Sequence, residues 1–337
     1  YNECYADVLP QVSRYIHMRY RYLPYNYTLA YENATAGTPL ARPVNFYGDA
    51  TGLLDNCIDE YLWGKDLLVA PVMTTDAARN ITFPDGEWVD MNNPKNSYSA
   101  GTTVSYSAPL EVLPLFARKG SFITTLTQTE MTSTADADMS QLSVIYFPSG
   151  NDEAAALIFD DDHTSTTSPA DGKYSLTTLR GYATSTQEII EYATAGDGYP
   201  DMPQTRTFTF VIPCYKSAVT SVDVDNMLLD RYTTSADLEH AATGYFCDAD
   251  NTLYIKVRLD DTEARIAVNT ELTSLSPQVL DYQLVLDYEA HAQLLCYTLP
   301  VACRTASVTI CDLSGRTVAV VDVTPEAGVH TQPCTLP

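Results

Sequence analysis

Strict alternation of apolar and polar side chains, repeated in short runs over most of the chain, is the feature that most limits the fold. In RTFTFVIP (206–213), Phe208, Phe210 and Ile212 fall on one face, with Thr207 and Thr209 on the other. In TLYIKVRL (252–259), Leu253, Ile255, Val257 and Leu259 alternate with Tyr254, Lys256 and Arg258. A period of two belongs to a strand, and burial of one face is what strands of an antiparallel sandwich present. DLLVAPV (66–72), NITFPDGEW (80–88), TVSYSAP (103–109), VLPLFARKGSFI (112–123), LSVIYF (142–147) and AALIFDDD (155–162) add strand signals separated by turn residues. The chain therefore reads as mainly β.

Its N-terminal part differs. Apolar or aromatic residues recur at 12, 15, 16, 20, 23, 27, 30 and 31, which is helical spacing. Pro24 should kink or break that helix, and Gly37 is a natural stop. TPLARPVNFYG (38–48) then reads as a short buried strand and a loop. Two polar intervals, 124–141 and 270–278, divide the rest, and YQLVLDY, QLLCYTL and SVTICDLSGRTVAVVDV form a last β module. The expected divisions are 1–64, 65–125, 142–269 and 279–337.

With 337 residues, 45% of them hydrophobic, the chain has material for more than one core. Its 43 acidic and 19 basic residues give a net charge of −24, which disfavours nucleic acid and anionic lipid as partners. No run of residues is apolar enough for a membrane span. The opening YNECYADVLPQVSRY and the closing CTLP both read as cut ends, an expectation that the natural polypeptide is longer. Cysteines at 4, 57, 214, 247, 296, 303, 311 and 334 show no Cys-x-x-Cys pair. They read either as buried small hydrophobes or, in an exported protein, as disulfide partners, with 296, 303 and 311 close enough for neighbouring strands.

GEWVDMNNP (86–94) resembles the nucleophile motif of family 31 glycoside hydrolases, which cleave α-glycosidic bonds. The same family offers a better match for the whole region. YRYLPYNYTLAYENATAGTPLARPV, DEYLWGKDLLVAPV, FPDGEWVD and APLEVLPLFARKGSFI resemble, in order, the segment joining the family's catalytic barrel to its proximal β domain. Residues 142–174 and GDGYPDMPQTRTFTFVI resemble its distal β domain, and VTICDLSGRTV is similar to a type nine secretion sorting tail. The resemblance implies the end of a (β/α)8 barrel (last helix and strand, 1–64), two antiparallel β-sandwich domains (65–125 and 142–269) and a partial C-terminal β module (279–337). It also implies a secreted, cell-surface or periplasmic α-glucosidase or α-xylosidase whose partner is an oligosaccharide or glycoside, with no cofactor.

Within that frame Asp90 is not the nucleophile. A nucleophile after the fourth barrel strand needs about 120 further residues of alternating strand and helix, and none follow. Trp88 comes after the turn Pro84-Asp85-Gly86, which is hairpin geometry, and Asn93 stands where the motif has Glu. Trp88 is expected to pack and Asp90 to be a turn or surface carboxylate. The family's two catalytic carboxyls match no residue here, so the chain alone is expected to be inactive. Arg42 either lines a sugar pocket or pairs with a buried acid. Asp160, Asp161 and Asp162, with His163, either ligate calcium or form an exposed acidic turn. Trp63 and the tyrosines of 15–31 either stack on sugars or pack. Asn26, Asn33 and Asn80 head N-x-T triplets. The alternative to an enzyme tail is an autonomous, non-catalytic β-sandwich protein with a structural or glycan-binding role.

Overall fold

The computed structural model describes residues 5–49, 52–150, 152–215, 218–260, 262–270, 286–289, 294–299, 306–311, 317–323 and 328–333. These fall into two compact units, 1–273 and 274–337. Among the described residues no helix is long and apolar enough to cross a membrane.

The expected N-terminal helix is two helices, α1 (Tyr5–Arg21) and α2 (Leu23–Ala36), divided at Tyr22. Pro24 is the cause. It sits in the first turn of α2, where its missing N–H costs nothing, and it cannot continue the ladder of α1. Gly37 ends α2 with φ of 70°, a left-handed conformation that glycine adopts without strain.

Next come β1 (Ala41–Pro43), β2 (Tyr61–Trp63), β3 (Leu67–Val69), β4 (Ala78–Thr82), β5 (Glu87–Asp90), β6 (Ser97–Ser99), β7 (Thr103–Ser107) and β8 (Leu115–Arg118). Six of them form one sheet in the order β1-β2-β3-β8-β5-β6, and β4 pairs with β7. The strand expected over 38–48 is thus only three residues long, and its described partner is antiparallel β2. A division at residue 64 would cut this sheet between β2 and β3.

The second part contains β9 (Ser121–Leu126), β10 (Gln141–Phe147), β11 (Ala154–Asp160), β12 (Ser175–Ala183), β13 (Gln187–Ala195), β14 (Thr205–Ile212), β15 (Val219–Val224), β16 (Met227–Leu228), β17 (Gly244–Cys247), β18 (Leu253–Asp260) and β19 (Glu263–Thr270). They make two sheets, β17-β18-β14-β10-β9 and β11-β12-β13-β19-β15-β16. Their inner faces share one core that includes Phe122, Tyr146, Leu179, Ile190, Phe208, Phe210, Ile255 and Ile266. The faces read from the sequence are the buried ones: Phe208, Phe210 and Ile212 are fully buried, as are Leu253 and Ile255. Each such side chain contributes about 1.5–3 kcal/mol by leaving water.

Two expectations fail here. β9, assigned by sequence to the 65–125 module, pairs with β10 from Leu126↔Leu142 to Ser121↔Phe147. The interval 124–141 is therefore not a linker between modules but the end of β9 and a connection inside one sheet, anchored by buried Met139. In addition, β10 and β14 run parallel, so the sandwich is not antiparallel throughout.

In the second unit β20 (Leu286–Glu289), β21 (Leu294–Leu299) and β24 (Gly328–Pro333) form one antiparallel sheet. β22 (Ala306–Cys311) and β23 (Thr317–Val323) form a hairpin. Cys4, Cys303 and Cys334 lie outside the described residues, as do the side chains of Cys296 and Cys311. Cys57, Cys214 and Cys247 are free.

Candidate functional site

α2 lies against the second sandwich and carries most of the polar contacts that converge there. Thr28 donates its hydroxyl to Pro24 O at 2.9 Å and accepts the Phe159 amide of β11 at 3.0 Å. Tyr31 stacks on Phe159, with ring centres 4.3 Å apart, and the Tyr27 hydroxyl donates to Asp161 Oδ1 at 2.5 Å. From the other side, Lys65 Nζ donates to Ala155 O at 2.9 Å.

The acidic turn 160–162 is consumed by the protein itself. Asp160, 2% exposed, accepts Arg206 Nη1 at 2.7 Å, the Tyr199 hydroxyl and His163 Nε2 at 2.8 Å. Arg206, also 2% exposed, donates to Met139 O at 2.9 Å and to the Tyr199 hydroxyl at 3.0 Å. Asp162 accepts the Thr164 and Ser165 amides. Burial pushes the Asp160 carboxyl up, but the His163 hydrogen bond and the Arg206 charge outweigh it and hold the group below the usual carboxylate range. The same hydrogen bond raises His163, against its burial. The three aspartates thus face separate partner sets, and Asp160 faces a guanidinium where a calcium site would need a cation.

Arg42 is a second buried charge, its side chain 1% exposed. Nη2 donates to Glu32 Oε2 at 3.1 Å, Nε to Pro39 O at 2.7 Å, and Nη1 to the Tyr47 hydroxyl. All three nitrogens thus have protein partners, the arrangement of the ion-pair reading. Glu32, Lys65 and buried Asp66 line a cavity of about 150 Å³ between α2 and β11.

Burial raises Asp66 from 3.8 to about 6, with Lys65 and Arg118 pulling the other way. The folded chain therefore keeps this proton where the unfolded chain releases it. Stability falls as pH rises from 3.8 to about 6 and does not return above that. Asp66→Asn is expected to flatten this part of the profile and to raise the urea midpoint above pH 6. A midpoint that still falls as steeply in the variant would contradict the assignment.

Asp90 lies on β5, hydrogen-bonded between antiparallel β6 and β8. It accepts the Asn92 amide at 2.8 Å and the Tyr106 hydroxyl at 2.9 Å. It is a turn carboxylate as expected, but at 2% exposure it is not on the surface. Trp88 is fully buried and donates Nε1 to Pro84 O at 3.0 Å. Trp63 packs on Tyr22 and Tyr25 and donates to Asn26 Oδ1 at 2.8 Å.

Residues 37–123 match the signature of the glycosyl hydrolase family 31 C-terminal domain. That stretch is a family 31 C-terminal domain. Alpha-glucosidase 2 of Bacillus thermoamyloliquefaciens is 34% identical over 153 residues, covering 45% of this chain and 19% of that protein. The 1,6-alpha-glucosyltransferase of Sporosarcina globispora is 26% identical over 281 residues, covering 80% and 21%. The chain spans about a fifth or less of the length of such relatives. Its fold is similar to that of a Flavobacterium johnsoniae family 31 dextranase solved with isomaltotriose, with TM-score 0.67 and 23% identity over 76% of this chain and 32% of that one. The cycloalternan-forming enzyme of Listeria monocytogenes gives a TM-score of 0.62 at 20% identity, covering 96% and 34%.

The Arg206–Asp160–Tyr199 cluster was not foreseen, although a signal existed. Arg206 is in phase with Phe208, Phe210 and Ile212, so alternation alone turns it inward.

Proposed function

We propose that this chain is the non-catalytic C-terminal part of a secreted retaining α-glycosidase acting on α-linked glucosides or xylosides. Its catalytic carboxylates lie in sequence preceding Tyr1, and its sandwiches brace the end of a (β/α)8 barrel. One observation carries this reading. α1 exposes Leu9, Val12 and Ile16 to 44–49%, and the segment after β1 exposes Phe46, Tyr47, Leu53 and Ile58 to 45–96%. Leu9, Val12 and Ile16 share a helix face, and uncovered apolar area on the elements that resemble a barrel's end calls for the rest of a barrel. Retention requires two carboxyls about 5–5.5 Å apart flanking the bond; here Asp90, Asp160 and Asp161 are each occupied by protein donors. Export to the cell surface, periplasm or medium rests on the resemblance of VTICDLSGRTV to a sorting tail.

The test begins with the gene product isolated from cells and medium. A mass above 37.1 kDa is expected, with peptides preceding Tyr1. That product should hydrolyse an aryl α-glucoside or α-xyloside to release the α-anomer first by NMR, while the 337-residue chain does nothing above buffer. Turnover by the short chain, or a native product no larger than it with no associated upstream chain, would overturn the reading.

A further inference from the structure

Just before β2, three ligand-type side chains converge, one of them, Cys57, also packing against the core of Val44, Leu54 and Leu62. Cys57, Asp59 and Glu60 each place a donor atom within 4.8 Å of the other two. Arg79 organises the carboxylates: its Nη2 reaches Glu60 Oε1 at 2.8 Å and Asp59 Oδ2 at 3.2 Å. The Thr82 amide also donates to Glu60 Oε1, at 3.3 Å. Glu60 Oε2 has no hydrogen-bond partner, although the Glu60 side chain is only 3% exposed. A buried carboxylate oxygen left without a donor calls for an explanation, and a bound ion supplies one.

We propose that Cys57 Sγ, Asp59 and Glu60 Oε2 bind a divalent transition-metal ion, with zinc the best chemical match. Sulfur at ~2.3 Å and oxygen at ~2.0 Å from a tetrahedral zinc stand ~3.5 Å apart. Cys57 Sγ and Asp59 Oδ1 are 3.8 Å apart and no pair of donor atoms is more than 4.8 Å apart, so binding must draw the three side chains together by up to about 1 Å. Thiolate with carboxylates selects zinc-like ions over calcium or magnesium, which prefer oxygen alone. Once Cys57 and Glu60 are both ionised in the bound state, three anionic ligands against the single Arg79 guanidinium carry a double negative charge, which a divalent ion neutralises. The Asp59 side chain is 54% exposed, so solvent can fill the fourth position. Binding converts the Cys57 thiol to thiolate, and its proton passes to water.

The test titrates the metal-free chain with cobalt(II) and follows the thiolate-to-cobalt charge-transfer band. The expected result is a band saturating near one equivalent, displaced by zinc and abolished in Cys57→Ser. Glu60→Gln should keep its circular dichroism yet bind at least about 10-fold more weakly, since losing a ligand costs no less than losing a group that merely orients one. The remaining cysteines make the Cys57→Ser comparison decisive. No band in the parent chain, a band that survives Cys57→Ser, or unchanged affinity in Glu60→Gln would each overturn the proposal.

Discussion

Arg206→Met is expected to destabilise the 1–273 unit by about 3–5 kcal/mol, the cost of stranding a buried charge. The pair it breaks is shielded almost completely, with side-chain exposures of 3% and 2%, so solvent screening does not discount it. Tyr199 and His163 would still donate to Asp160, which sets the lower end of that range. The sign with pH follows from the depressed Asp160 carboxyl. Its contribution is present above the unfolded carboxylate range and is lost as pH falls through the folded value. Urea unfolding should show a large gap between parent and variant near neutral pH that narrows in acid. A loss below about 1 kcal/mol at neutral pH would place the pair among exposed ones, which are worth that little.

Trp88→Ala is expected to cost a similar amount, about 3–5 kcal/mol, through a different mechanism. The ring is fully buried in the core that holds Leu62, Leu68, Phe83 and Phe116, and Arg118 lies over it at 4.4 Å. Removing it opens a cavity and leaves Pro84 O without its donor. Unlike the Arg206 change, the loss should be independent of pH, and Trp88→Phe should restore part of it. A variant unfolding within about 1 kcal/mol of the parent would mean that Trp88 is not the packing centre of its sheet.

The buried faces of β14 and β18 were legible because alternation is local and a period of two admits one reading. The place of β9 was not. VLPLFARKGSFI looks like one strand-rich run, yet it holds β8 and β9, which turn at Gly120 (φ 78°) and join different sheets. Ladder partners are set by hydrogen bonds to distant strands, which no local pattern records. The Thr/Ser-rich interval after β9 read as a linker on composition, but a connection between paired strands is equally polar. Of the buried charges, Arg42 was read either as lining a sugar pocket or as one half of an ion pair. Its partner Glu32 was not anticipated, because helix and strand meet only in three dimensions. Asp90 shows a related limit: spacing identified a turn carboxylate, but not that Tyr106 would cover it.

The contacts of α2 and Lys65 with β11 have one more consequence. β11 is the outer strand of its sheet, and such a strand offers unpaired amides and carbonyls to any other chain. Thr28 occupies the Phe159 amide and Lys65 the Ala155 carbonyl, so the N-terminal segment acts as a guard against self-association. A chain stripped of it would lose more than stability, because the bared edge is a template on which a second copy can add its own strand.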